Sequence, residues 1–293
     1  MKEWLRCARP ACAARRSFYL LVGLSGASLA ALLTLFISAP SPLMYVAELC
    51  YWALTSLGGA IYAWRWGFPA FVLALISLAF LISVLQKVLS THQRVQQLLQ
   101  EECPMPPHLE QLACETGLAQ RLRLIRSDQP LLFSFGLALP QVCLSTGLMD
   151  RLDSEELRAV LWHEQYHVQQ RDPLRILLTM TLARGLFFIP TIGELRDSYV
   201  QAKELAADEE AIERMGDPEP LARALLKLLA SDKIEMPAMA VTTGALNVTQ
   251  DRIVHLLNHR LAVRTISPRR AIVSIAIMLV ISLLSLLPVE FAH

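Results

Sequence analysis

The chain has 293 residues, of which 54% are hydrophobic and 18% are charged, and its formal net charge is +1. Soluble domains average about 25% charged and about 45–50% apolar residues, so this composition favours a membrane protein. A net charge near zero gives no basis for a nucleic-acid partner or a strongly acidic substrate.

Four apolar stretches are long enough to be membrane-spanning helices, because crossing the hydrocarbon core takes about 20 apolar residues. They are 17–38, 42–64, 68–88 and 271–288. Glu48 lies inside the second stretch, which therefore either spans obliquely or is re-entrant. We expect the first stretch to be a retained anchor rather than a cleaved signal, since no small-x-small cleavage site follows it.

The apolar stretches also predict the domain organisation. We expect a basic N-terminal tail (1–16), a transmembrane region (17–89), a globular domain (90–266) and a C-terminal transmembrane helix (271–288). The predicted fold class is mainly α, with multiple transmembrane helices and a mostly helical domain that contains a small β-hairpin or sheet.

The globular domain begins with strands and continues as helices. Residues 130–145 are rich in apolar side chains and are broken by Gly136 and Pro140, which predicts two short strands joined by a turn. Asp153 and Glu156 form a capping-box pattern, which predicts a helix from 154 to about 171 that ends before Asp172–Pro173.

Several further helices are predicted downstream. Residues 174–190 are apolar but short for a span, and we favour a helix buried in the domain or lying against the bilayer over a fifth crossing. Helices are also expected at about 193–215, 219–231 and 249–261, with a loop at 236–247.

The segment "WHEQYH" carries the chemistry of the chain. His163 and His167 are four residues apart on the helix predicted at 154–171, so both rings project from one face and can bind one ion. Glu164 lies beside this pair, where it can hold and deprotonate a water molecule. This HExxH pattern predicts one zinc ion per chain. The buried stripe of the same helix is Leu157, Val160, Leu161 and Val168.

A catalytic zinc needs a third protein ligand and an open fourth position. Glu204 is a candidate ligand on the helix predicted at 193–215, and Asp208 follows one turn later, where it can accept the outer N–H of a liganding imidazole. Spacing alone leaves open a solvated acidic face that these two residues share with Glu209, Glu210 and Glu213.

A family resemblance favours the ligand assignment. HExxH followed by ExxxD resembles the glutamate-ligand zinc peptidases. The segments "FSFGLALPQVCLSTGLMDRLDSEELRAVLWHEQYHVQQRDPL", "KELAADEEAI" and "DRIVHLLN" resemble the antirepressor-type membrane zinc metallopeptidases, the family of the β-lactam sensor-transducers. The heat-shock membrane proteases and CAAX prenyl proteases are similar more distantly. The resemblance covers about 104–265.

The resemblance implies specific roles. His163, His167 and Glu204 correspond to zinc ligands, Glu164 to the general base, and Asp208 to the acid that supports an imidazole. Only "VEFAH" follows the last apolar stretch, so we expect no penicillin-binding sensor domain and no β-lactam signal. Gln165 and Tyr166 are bulkier than the family's usual pair, but we expect them to face away from the zinc.

The predicted function is an integral-membrane zinc endopeptidase that acts in regulated proteolysis or signalling, with a protein or peptide substrate and the lipid bilayer as partners. The alternatives are a signal-transducing membrane scaffold with a structural or vestigial metal site, and a quality-control protease. The oligomeric state stays open. The strand pair either binds an extended peptide at its edge or is an ordinary packed hairpin.

Two further questions stay open at the level of sequence. Tyr166, Tyr199 and His255 are candidate oxyanion donors that the sequence does not rank. Basic residues flank both ends of the apolar stretches, so charge does not select a topology for this multi-pass protein of the cell membrane. Following the family, we expect the catalytic domain to face the cytoplasm.

Overall fold

The computed structural model describes residues 10–38, 57–229, 252 and 266–286. These residues form a mostly helical protein with one small sheet. The helices and strands, in chain order, are α1 (Pro10–Ser38), α2 (Leu57–Leu99), α3 (Pro107–Glu115), β1 (Leu122–Ile125), β2 (Leu132–Phe135), β3 (Gln141–Ser145), α4 (Thr146–Met149), α5 (Ser154–Gln170), α6 (Asp172–Gly185), α7 (Pro190–Met215), α8 (Glu219–Leu229) and α9 (Pro268–Leu286).

The sheet contains the predicted strand pair and one strand that was not predicted. β2 and β3 pair antiparallel, which confirms the two strands expected within 130–145, while β1 pairs parallel to β3. The strand order is β1-β3-β2, so β3 is central and β2 lies at an edge. Gly136 follows β2 with a φ of +89°, and a Cβ atom there would lie 2.5 Å from the carbonyl oxygen of Leu139. Glycine is therefore required in this turn.

Helix α5 begins where the capping box predicts. The Asp153 side chain accepts hydrogen bonds from the backbone of Glu155 and Glu156, and the Glu156 side chain accepts one from the Asp153 backbone. The helix ends at Gln170, and Arg171 adopts the left-handed conformation with a φ of +53°. Helix α6 begins at the next residue, so the predicted stop is a one-residue corner between two helices.

The main core lies between α5 and the elements around it. Leu157, Val160, Leu161 and Val168 are all buried there, which confirms the predicted stripe. Residues from α3, β1, β3, α7 and α8 complete this cluster. Burying one face of α5 in this way leaves its HExxH face directed toward α7.

Helix α1 packs along α7 in a cluster that is separate from that core. It begins at Pro10, so residues 10–16 of the predicted tail are helical. Ala13 and Ala14 pack against Tyr199 and Ala202 of α7. The hydroxyls of Ser17 and Ser198 form a hydrogen bond of 2.9 Å.

The apolar stretches fall on three helices. Stretch 17–38 lies within α1, 68–88 within α2, and 271–286 within α9. Residues 57–64 of the second stretch belong to α2, which continues without a break into the third stretch. Within the ranges that the structure describes, no helix is both long and apolar enough to be identified as a membrane span, so the multi-span prediction is not confirmed.

Some predicted elements lie wholly or partly outside the described residues. They are most of the basic tail (1–9), the first part of the second apolar stretch (42–56), the loop at 236–247, the helix at 249–261 apart from Arg252, and the end of the last stretch (287–288). The other downstream helices match α6, α7 and α8, although α6 ends at Gly185 rather than near 190.

Candidate metal centre

The site lies between α5 and α7, and several buried positions of α7 are small. Ala206, Ala207 and Ala211 are buried along α7. Alanine also has the highest helix propensity, so the segment favours both the helix and its close packing. Gly216, at a φ of +76°, ends α7 in the left-handed conformation that favours glycine.

Three donor side chains converge at this interface. The Nε2 atoms of His163 and His167 are 3.1 Å apart. The two carboxylate oxygens of Glu204 lie 3.6 Å from Nε2 of His163 and 3.7 Å from Nε2 of His167. A tetrahedral zinc with bonds of about 2.0–2.1 Å requires donor separations of about 3.3–3.5 Å. The chemistry and spacing of the three residues therefore fit one zinc ion.

Each imidazole is held from behind by its own aspartate. Nδ1 of His163 lies 2.9 Å from Oδ1 of Asp208, which is buried on α7. Nδ1 of His167 lies 2.6 Å from Oδ2 of Asp172, the first residue of α6. A carboxylate that accepts the Nδ1–H of a neutral imidazole directs the Nε2 lone pair away from itself, here toward the other donors.

Asp172 is a site residue that the sequence analysis used only as a helix stop. The corner at Arg171 turns the chain back so that Asp172 reaches the ring of His167. Its other oxygen accepts a hydrogen bond of 3.2 Å from the hydroxyl of Tyr199. An acid directly after the HExxH helix is the local sequence signal for this role.

Glu164 lies beside the two histidines and is buried. Its Oε2 atom accepts a hydrogen bond of 2.7 Å from the hydroxyl of Ser134 on β2. The candidate base is therefore in contact with the edge strand of the sheet. No local pattern in the sequence predicts this contact between Ser134 and Glu164.

Two cations neutralise the acidic side chains of α7 at the site, the half-buried Glu204 and the buried Asp208. Lys203 forms an ion pair with Glu204 and is itself buried. Arg252 donates two hydrogen bonds to Asp208, of 2.8 and 2.7 Å, and lies 3.3 Å from Glu204. Arg252 lies in the segment "DRIVHLLN", and the sequence alone predicts no role for it. The structure therefore adds Arg252 to the residues of the site.

The pKa values of the buried groups follow from these contacts. Burial and Arg252 lower the pKa of His163, but its hydrogen bonds to Asp208 and Glu204 outweigh them and raise it to about 9. Burial raises the pKa of Asp208, yet Arg252 and His163 bring it down to about 2. Burial likewise opposes ionisation of Glu204, but Lys203, His167 and Arg252 hold its pKa well below the usual range.

The three candidate oxyanion donors have different surroundings. Tyr199 is buried and its hydroxyl donates to Asp172, so it supports His167 from the side opposite Nε2. The ring of Tyr166 lies 6.2 Å from the ring of His167, and burial raises the pKa of its hydroxyl to about 12. His255 lies outside the described residues.

A helix bearing two histidines, with a glutamate supplied by a second helix, is the arrangement typical of glutamate-ligand metallopeptidases. The model of the BlaR1 peptidase M56 family matches residues 66–256, about two thirds of the chain. The chain therefore belongs to this family. The match includes the three candidate ligands, both aspartates and Arg252.

Similar proteins carry the name protease HtpX homolog. One from Acidiphilium cryptum is 30% identical over 155 residues, covering 41% of this chain and 54% of that protein. One from Methanothermobacter thermautotrophicus is 27% identical over 214 residues, covering 64% and 80%. One from Kineococcus radiotolerans is 32% identical over 131 residues, covering 33% and 45%. The chain thus spans about half the length of the first and third of these relatives.

Proposed function

We propose that this protein is an integral-membrane, zinc-dependent endopeptidase. The observation that carries the proposal is the convergence of the two HExxH histidines and Glu204, with donor separations of 3.1, 3.6 and 3.7 Å. Membership of a peptidase family supports the same activity. The site would leave one coordination position open for water or substrate, as catalytic zinc sites do.

His163, His167 and Glu204 would hold the ion. Zinc, when bound, supplies a Lewis acid that polarises the scissile carbonyl and lowers the pKa of a water molecule toward about 7. Glu164 would accept a proton from the attacking water and pass it to the leaving nitrogen. Asp208 and Asp172 would keep the two imidazoles in the tautomer that presents Nε2 to the ion.

The edge strand β2 is the candidate binding surface for the substrate backbone. It pairs with β3 on one side only in the described sheet. An extended peptide can add to such an edge through main-chain hydrogen bonds. Because Ser134 of β2 contacts Glu164, a peptide bound there would lie next to the candidate base.

The apolar stretches support a location in the cell membrane. Helices α1, α2 and α9 expose leucine, isoleucine and valine side chains, including Leu81, Ile272 and Leu279, each more than 60% exposed. Lipid would cover such faces. We place the catalytic domain on the cytoplasmic side and assign the activity to regulated proteolysis or signalling, with quality-control degradation as the alternative use of the same site.

The deciding experiment compares the wild-type protein, purified in nanodiscs, with Glu164→Gln. Zinc content would be measured by mass spectrometry, and cleavage with β-casein and with the protein itself as substrates. A peptidase would retain zinc in the variant and lose cleavage. Glu155→Gln is the matched control, because Glu155 is an exposed glutamate on the same helix.

Three results would reject the proposal. Wild-type protein that binds no zinc would remove its basis. Zinc binding without cleavage in the wild type, or equal cleavage by wild type and Glu164→Gln, would favour a membrane scaffold whose metal site is structural or vestigial.

A further inference from the structure

The contact between Ser134 and Glu164 joins two parts of the fold that are separate in sequence. Ser134 is the third residue of β2, and its hydroxyl donates to Oε2 of Glu164 at 2.7 Å across 30 residues of chain. The contact is charge-assisted, which makes it stronger than a hydrogen bond between neutral groups. The hydrogen bond is partly buried.

The position of Ser134 is fixed by its strand. Ser134 pairs with Val142 of the central strand β3. The preceding residue, Phe133, points to the opposite face of the sheet and is buried against Val95, Ile125 and Cys143. Because side chains alternate along a strand, anchoring Phe133 on one face directs Ser134 toward α5 on the other.

Glu164 needs such a constraint to act as a base. The terminal torsion of a glutamate is broad, so a carboxylate held only by its own chain samples many orientations. A donor on Oε2 fixes the plane of the carboxylate and leaves Oε1 available for a water molecule. A base must lie within about 2.6–3.2 Å of the proton it removes, so a fixed plane directly affects rate.

We propose that Ser134 is a positioning residue that holds Glu164 in its working orientation. A peptide that adds to β2 would lie beside the strand that carries Ser134. This inference rests on the proposed peptidase function. The Ser134 hydroxyl belongs neither to the HExxH pattern nor to the candidate metal ligands.

The first test measures steady-state kinetics of Ser134→Ala, Ser134→Thr and the wild type. Removing the hydroxyl is expected to lower kcat about tenfold, the equivalent of one hydrogen bond to a charged group, with KM within about twofold. Ser134→Thr keeps a hydroxyl and should restore kcat to within about threefold of the wild type. Ser154→Ala, an exposed serine on α5, is the matched control and should be unchanged.

The second test needs neither metal nor activity. The midpoint of thermal unfolding is compared for metal-free Ser134→Ala in the wild-type and Glu164→Ala backgrounds. A direct contact predicts that Ser134→Ala lowers the midpoint in the first background and has little effect in the second. An equal decrease in both backgrounds would show that the serine acts on the strand alone and would overturn the inference.

The kinetic outcomes separate this inference from the proposed function. If the wild type cleaves and Glu164→Gln is inactive, but Ser134→Ala keeps full kcat or changes KM only, the positioning role is wrong and the peptidase assignment stands. If the wild type cleaves nothing, the proposed function fails and the positioning role fails with it.

Discussion

Asp172 offers a sharp test of how the metal centre is built. Its carboxylate is buried, accepts the Nδ1–H of His167 at 2.6 Å and the hydroxyl of Tyr199 at 3.2 Å. Burial opposes ionisation of Asp172, but the hydrogen bond from His167 lowers its pKa below the usual value. The buried acid is therefore an anion that supports an imidazole.

The size of the effect follows from these contacts. Replacing Asp172 with Asn keeps the shape and removes the charge, so the bond to His167 loses its charge-assisted part. A hydrogen bond to a charged group contributes about 1.5–3 kcal/mol, which corresponds to about 10–100-fold in an equilibrium constant. Replacing the residue that accepts a hydrogen bond from a metal-ligating histidine typically weakens metal binding by about the same factor. We expect Asp172→Asn to weaken zinc binding about tenfold and Asp172→Ala about a hundredfold.

The assay is zinc affinity by competition with a chromogenic chelator at fixed pH. Asp150→Asn makes the same change at an exposed position and should leave the affinity unaltered. Tyr199→Phe removes the weaker of the two bonds to Asp172 and should cost less than Asp172→Asn. Asp172→Asn with wild-type zinc affinity would show that His167 is oriented by its helix alone, and the argument from the imidazole partner would be wrong.

Three further predictions concern charge, pH and backbone. Arg252→Ala removes two of the hydrogen bonds to the buried Asp208 and should destabilise the protein by about 3–5 kcal/mol, whereas Arg252→Lys should cost less. Equal denaturant midpoints for both variants would contradict this prediction. The pKa of His163 is raised from 6.5 to about 9, so its contribution to the stability of the metal-free protein is complete below pH 6.5 and is lost as pH rises through about 9. Zinc competes with that proton, so the zinc affinity should rise as pH increases from 6.5 toward about 9. Calorimetry at about pH 6.5, 7.5 and 8.5 measures this affinity, and a zinc affinity that does not change with pH would contradict the prediction. Arg171 has a left-handed backbone conformation that glycine adopts more readily, so Arg171→Gly should raise the free energy of unfolding by up to about 1 kcal/mol. A decrease of that size in the free energy of unfolding would show instead that the arginine side chain stabilises the corner.

Local patterns in the sequence predicted the parts of the structure that depend on neighbouring residues. The capping box placed the start of α5, and the four-residue spacing of His163 and His167 placed both rings on one face. Gly136 and Pro140 marked the turn between β2 and β3. Each of these features is set by chemistry within about one helical turn or one hairpin.

Features that depend on distant segments were missed. β1 has only four residues, and its parallel pairing with β3 has no local signal. Arg252 lies 44 residues after Asp208, and no spacing rule relates an arginine to an acid on another helix. The sequence around Ser134 gives no signal for its role, because its contact with Glu164 forms only when α5 packs against the sheet. Tertiary packing creates these contacts, so periodicity and capping patterns do not predict them.

The packing of α1 on α7 limits how the protein can be divided. Tyr199, whose hydroxyl supports the Asp172–His167 pair, is covered on its outer side by Ala13, Ala14 and the ring of Phe18 at 5.4 Å. A fragment that starts at residue 90 would uncover this tyrosine and the alanines beside it. Truncation near the amino terminus would then weaken zinc retention from a distance, and a peptide corresponding to 10–31 added back in trans would restore it.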